Sequence, residues 1–256
     1  MPPGGLAMRA DQLLVERGLA VTRSQAQRLI ASGVRWRAPE GWRAVGKNGD
    51  ELPPDAELAL DDDAEARYVS RGGIKLEGAL RAAGIGVAGR HCLDVGQSTG
   101  GFTDCLLRQG AARVVGVDVG QGQLHPRLRA DPRVICLEQV NARDLQPQAV
   151  QCPPQGFGLV VGDVSFISLT LVLPALVPLL AADGDLLMLV KPQFELQPGQ
   201  VGKGGIVRDA ALHARVEQRL RDSCAGLGLQ VLAWLDSPVA GGDGNREFFL
   251  HARCGR

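Results

Sequence analysis

Residues 93–102, Leu-Asp-Val-Gly-Gln-Ser-Thr-Gly-Gly-Phe, constrain the fold of this chain more than any other segment. A short apolar run ending at Val95 leads into a glycine-rich turn and then into a helical pattern near Gly101–Gln109. Glycines there permit a tight turn and a close approach of backbone N–H groups to a ligand. A second apolar run, Val114–Val117, ends at Asp118, 24 residues beyond Asp94. Further runs at Val134–Leu137, Leu159–Val161 and Leu186–Val190 continue the alternation, and Val231–Leu235 and Phe248–Ala252 follow a helical stretch at 209–225. Short buried strands separated by helices predict an open, mostly parallel α/β sheet with helices on both faces.

The loop is spaced D-x-G-x-x-x-G, not G-x-G-x-x-G. A carboxylate at the end of that strand would repel a pyrophosphate. It suits instead a ligand with a cationic group, such as an amino acid moiety. Asp94, Gly96, Ser98, Thr99, Gly100 and Gly101 are therefore candidate ligand-binding residues, with a purely structural turn as the alternative. Asp118 is placed as the usual strand-end partner of ribose hydroxyls. Asn141 and Asp144, beyond the third strand, could read an adenine edge, although a plain turn explains them equally well.

The first quarter of the chain reads differently. Leu13, Leu14 and Leu19 give a helical stripe from Met8 that closes at Gly18, and T-R-S-Q at 22–25 has the pattern of a capping box. The helix it opens carries Ala26, Leu29 and Ile30 on one side and stops at Gly33. From Met8 to Gly49 eight cations face three acids, whereas Asp50 to Glu65 holds eight acids and no cation. These shifts predict a small α+β domain at 1–65, a linker at 66–75 and a larger domain at 76–256. With 28 basic and 28 acidic residues the formal charge is zero, which excludes a uniformly cationic nucleic-acid binder but not a local basic face. Arg9, Arg17, Arg23 and Arg28 would form that face and meet phosphates. Lys203 and Arg208, in a glycine-rich loop, are further candidates, a mobile surface loop being the alternative. Aromatic residues are only 4% of the chain, which argues against stacking platforms as the main means of holding a ligand.

Six cysteines include no C-x-x-C pair and no zinc-finger spacing with His, so a reduced cytoplasmic protein without a metal site is expected. The start has no apolar core of a signal peptide, and the longest apolar run, Leu169–Ala182, is too short to span a bilayer. No membrane association is expected, and oligomeric state is not legible.

Only four of the 28 cations are lysines, and two of these, Lys75 and Lys191, lie with Asp163 and Glu247 at the edges of elements expected to share one crevice. Ligands in open α/β sheets bind beyond the carboxyl ends of the strands. Lysine, unlike arginine, can give up its proton when its surroundings demand it. Chance placement of solvated lysines is the alternative.

These segments carry a resemblance. R-A-D-Q-L-L-V-E-R-G-L-A at 9–20, S-R-G-G-I-K-L at 70–76, L-D-V-G-Q-S-T-G-G-F-T-D at 93–104, D-V-S-F-I-S-L at 163–169, V-K-P-Q-F-E at 190–195, G-K-G-G-I-V-R-D at 202–209 and G-N-R-E-F at 244–248 together resemble the TlyA or hemolysin A family of ribosomal RNA ribose 2′-O-methyltransferases. The resemblance implies a Rossmann-like, FtsJ-type catalytic domain that uses S-adenosylmethionine, preceded by a small S4-type RNA-binding domain. It implies a catalytic tetrad of Lys75, Asp163, Lys191 and Glu247, with Lys191 acting on the 2′-hydroxyl. The implied partner is ribosomal RNA or a ribosomal subunit, with cytidine of the large subunit, and in some members also the small, as target. The chain departs from the pattern at Gln97, where a small residue is expected, and at 35–48, which is longer and more basic than usual for the RNA-binding module. Rival readings are a non-catalytic ribosome assembly factor, a membrane-active hemolysin, and a base methyltransferase, whose usual N-P-P-[YF] motif is replaced here by Asp163-Val-Ser-Phe.

Overall fold

The computed structural model describes residues 7–255, except for 21, 61–66 and 242–243 and the side chains of 32 and 203. The chain divides into two compact units, residues 1–71 and 72–256. The segment around residue 65, where the sequence suggests a boundary, lies outside the described residues.

The first unit runs β1 (Met8–Arg9), α1 (Ala10–Glu16), α2 (Arg23–Gly33), β2 (Val34–Ala38), β3 (Gly41–Ala44), β4 (Glu51–Leu52) and β5 (Leu58–Leu60). Met8 and Arg9, expected to open the first helix, instead pair antiparallel with Leu52 and Glu51. The start of α1 is fixed from outside the helix, because Ala10 and Asp11 donate their N–H groups to the carbonyls of Asp50 and Asn48. Gly18 and Gly33 have φ of +69° and +116°, a left-handed stop that glycine takes without cost. Thr22 caps α2 by accepting from the Gln25 N–H at 3.2 Å, while the Gln25 amide donates to the Tyr68 carbonyl. Leu13, Leu14, Ala26, Leu29, Ile30 and Val34 form the core beneath a three-stranded antiparallel sheet ordered β3-β2-β5.

The second unit starts with α3 (Gly72–Ala83), so Gly72–Lys75, assigned to the linker by sequence, form the first turn of a helix. The two glycines look like breakers in sequence, yet Gly73 is buried and α3 packs against the rest of the unit. The elements that follow are β6 (His91–Val95), α4 (Gly101–Arg108), β7 (Arg113–Val117), α5 (Pro126–Arg129), β8 (Val134–Leu137), β9 (Phe157–Gly162), α6 (Leu169–Leu176), β10 (Leu180–Val190), α7 (Pro192–Glu195), α8 (Ala210–Gly226), β11 (Leu229–Asp236) and β12 (Phe248–Cys254). They build one seven-stranded sheet, β11-β12-β10-β9-β6-β7-β8, in which only β12 runs against its neighbours. β10 begins six residues before the predicted Leu186, because the end of the apolar run at Leu180–Ala182 joins it through an irregular register shift.

The chain leaves β6 toward β7 and β8, then returns to place β9 on the other side of β6. That reversal opens a crevice at the carboxyl ends of β6 and β9, the position where open α/β sheets bind ligands. Leu93, Val160, Leu186 and Leu250, all buried, are among the core residues that hold these strands rigid below the crevice.

Candidate functional site

The glycine loop crosses the crevice just as the local sequence demands. Gly96 has φ +83°, and a Cβ there would lie 2.5 Å from the Asp163 carbonyl, so only glycine lets the β6 and β9 loops pass. Ser98 has φ +47°, and its N–H donates to Asp118 at 2.7 Å. The other Asp118 oxygen accepts from the Gly120 N–H at 2.7 Å. Asp118 therefore ties the first two loops together, and a carboxylate's remaining acceptor capacity is left for hydroxyls.

Gly96, Ser98, Asp118, Asn141 and Asp163 line one cavity of about 410 Å³ with Ser165 and Phe166. Thr99, Gly100, Gly101, Asp144 and Asp94, also expected to bind the ligand, do not line it. Gly100 instead gives way to Leu124 and Leu128, which a Cβ would strike. Asp144 is exposed in a short helical turn at Ala142–Asp144, capped by Asn141, whose side chain accepts from the Arg143 N–H.

Asp94 is the largest departure from the sequence reading. It is fully buried and accepts from the Thr103 hydroxyl at 2.7 Å, which in turn accepts from the Gln97 amide at 2.9 Å. Its Oδ1 is buried with no hydrogen-bond partner among the described residues. Burial, opposed by the Thr103 hydrogen bond and reinforced by Asp163 and Asp118, pushes its carboxyl up to about 7. Gln97, the unexpected residue of the loop, turns inward and not toward the cavity. Its amide fills the space above Gly116, where a Cβ would come within 2.0 Å. A glycine inside a strand, otherwise a weak choice, is thereby explained.

The four tetrad candidates gather at one end of the sheet as two ion pairs. Lys191 Nζ lies 2.5 Å from Asp163 Oδ1 and donates to Ser165 Oγ at 2.8 Å. Lys75 Nζ donates to Glu247 Oε2 at 2.6 Å, with both side chains less than a tenth exposed. Register explains the meeting: Val190 of β10 faces Phe248 of β12, which brings Lys191 and Glu247 to neighbouring positions. Asp163 follows Gly162, the residue of β9 paired with both Val95 and Met188. A lysine from α3, far away in sequence, completes the group.

Two participants escape the sequence reading. Phe166 is 90% exposed at the cavity rim, holds φ +62° and packs on Phe194 with ring centroids 4.9 Å apart. Glu195 is buried and accepts from the Ser168 hydroxyl at 2.6 Å and the Leu169 N–H at 2.7 Å, capping α6. The only sequence signal for either is its place in the D-V-S-F and V-K-P-Q-F-E segments.

The basic residues of the first unit are partly engaged within the chain. Asp11 accepts from Arg9 and, at 2.9 Å, from Arg23. Arg17 donates to the Pro54 carbonyl and Arg28 to that of Ser24. Arg9, Arg17 and Arg23 are well exposed and Arg28 is half-buried, each with a partner within the chain. Arg208 is exposed, and the Lys203 side chain lies outside the described residues. Among the described residues, no helix is long and apolar enough to cross a membrane.

The FtsJ-like methyltransferase family matches residues 68–254, and the S4 domain matches residues 8–33. The chain is 49% identical over 246 residues to the 16S/23S rRNA (cytidine-2′-O)-methyltransferase TlyA of Mycobacterium tuberculosis, covering 96% of this chain and 89% of that one. It is 34% identical to the 23S rRNA (cytidine-2′-O)-methyltransferase TlyA of Campylobacter jejuni, covering 94% and 96% respectively. A solved structure of a provisionally named hemolysin from Streptococcus thermophilus superposes with a TM-score of 0.74 at 40% identity, over 98% of this chain and 89% of that one.

Proposed function

Since the chain belongs to the FtsJ-like methyltransferases, among the TlyA proteins, we propose that it methylates a ribose 2′-hydroxyl of cytidine in ribosomal RNA with S-adenosylmethionine as methyl donor. The observation that supports this most is the two lysine–carboxylate contacts, Lys75–Glu247 buried and Lys191–Asp163 partly exposed, beside a carboxylate-lined cavity at the carboxyl ends of β6 and β9. S-adenosylmethionine supplies an electrophilic methyl group on a sulfonium, and its charge and hydroxyls match what the cavity offers. Asp163 brings a carboxylate to the wall, shared with Lys191. Asp118 and Asn141 present acceptors, and Gly96 gives way to backbone approach.

Lys191, anchored by Asp163 and Ser165, is the group placed to receive the hydroxyl proton in its neutral form, with Asp163 stabilising the ammonium that results. Lys75 and Glu247 neutralise each other and position the hydroxyl. Much of the acceleration is then positional, from holding oxygen and methyl in line. The first unit docks on RNA through Arg9, Arg17, Arg23 and Arg28, with Lys203 and Arg208 as further contacts. Six cysteines, none in a disulfide among the described residues, fit a reducing cytoplasm, where ribosomal subunits are the substrate.

Transfer of labelled methyl to purified unmodified ribosomal subunits, followed by digestion to nucleosides, tests this reading. Label in 2′-O-methylcytidine is expected, and comparing subunits identifies the target. Cofactor binding with no transfer would replace it with a non-catalytic role in ribosome assembly.

A further inference from the structure

The small sheet of the first unit has an outer face that none of the preceding roles uses. Along β2 the side chains alternate: Val34 and Ala38 are buried and Trp36 packs on the core, while Arg35 and Arg37 are exposed. Residues directly opposite share a face, so Trp42 and Ala44 of β3 and Ala59 of β5 join the two arginines. Trp42 is 39% exposed, and the guanidiniums of Arg35 and Arg37 lie 5.9 and 5.7 Å from its ring centroid. Ala44 and Ala59 are small, and Glu57, exposed and opposite Arg37 by register, accepts the Arg37 N–H through its backbone carbonyl at 2.9 Å.

Protection of an exposed sheet edge calls for charge, and support of the fold is already given by Trp36 and Val34 on the inner face. Neither accounts for a tryptophan on the outer face of a chain with only three tryptophans among 256 residues. An aromatic ring beside two guanidiniums combines a stacking surface with phosphate-binding charge. We propose that the Arg35–Trp42–Arg37 face is a second RNA contact, which stacks an unpaired nucleotide on Trp42 and holds the adjoining phosphates with the two arginines. This rests on the RNA-directed reading above and adds to it a preference for unpaired RNA.

The test measures binding of the full-length protein to a 12-nucleotide single-stranded oligouridylate and to a 12-base-pair RNA duplex, whose bases are not free to stack. Trp42→Ala is expected to weaken single-strand binding roughly 5- to 150-fold, the range for loss of one stacked base, and to change duplex binding less than about twofold. Trp42→Phe should restore most of the loss, and retained duplex binding shows that the variants fold. Arg37→Gln should weaken both RNAs and lower the salt slope by about one. Equal loss on both RNAs after Trp42→Ala, or no loss on either, overturns the stacking face. Should the unaltered protein bind neither RNA and transfer no methyl to ribosomal subunits, the RNA-directed reading fails with it. A protein that methylates normally while Trp42→Ala has no effect rejects the face alone.

Discussion

At the residue scale, individual side chains take their chemistry from burial and partners more than from type. Lys191 is held by a carboxylate and a hydroxyl at the cavity edge. Lys191→Ala is expected to lower methyl transfer by about 10²–10⁴-fold while calorimetry shows S-adenosylmethionine still bound. Asp94 titrates near 7 in the folded chain against an ordinary 3.8, so between these values the folded state keeps a proton that the unfolded state has lost. Its contribution to stability is complete below about pH 4 and is lost as pH rises through 7. Urea unfolding at pH 5 and pH 8 should show this decline, and Asp94→Asn should flatten it. Asp11 and Asp185 have the opposite sign. The Arg9 hydrogen bond, helped by Arg23, holds Asp11 low. Burial opposes the same effect at Asp185, but His251, Arg253 and Arg90 overcome it. The stability they supply is present above the usual carboxylate range and is lost on acidification below it. At this scale Asp94 was legible as an important acid but not as a buried one. Its neighbours Thr103 and Gln97 are near in sequence, yet whether they face inward depends on Gly116 in another strand.

At the scale of elements, loops are set by contacts between the ends of helices and strands. Glu195, at the end of α7, accepts from the first residues of α6 and so couples the segment after Lys191 to the loop that carries Asp163, Ser165 and Phe166. Burial pushes its carboxyl up, against hydrogen bonds that favour the charged form. Glu195→Ala leaves the Leu169 N–H without this acceptor and is expected to cost about 1–3 kcal/mol in chemical denaturation. It should also lower the turnover number more than it raises the KM for RNA. Strand and helix positions in the second unit were largely legible, because apolar runs of strand length separated by helical stripes have few other solutions. The start of α1 and the glycine-led turn of α3 were not, since the first depends on carbonyls near residue 50 and the second on packing against elements later in the chain.

At the scale of the whole molecule, the sheet, its core and all four tetrad candidates lie in residues 72–256. A fragment of those residues is expected to keep S-adenosylmethionine affinity, measured by calorimetry, and to lose RNA affinity with a shallower dependence on salt. Unchanged RNA affinity would remove the first unit from recognition. The amino-acid sequence by itself determined the α/β class, the glycine loop and the identity of the residues at strand ends. These follow from local rules: period of the apolar residues and glycine's backbone freedom. Tertiary structure alone decided which of those residues meet. Strand order brings 163, 191 and 247 together, Asp94 disappears behind its loop, and Trp42 comes to stand beside two arginines. Such outcomes depend on register and on side chains distant in sequence, and no local pattern carries that information.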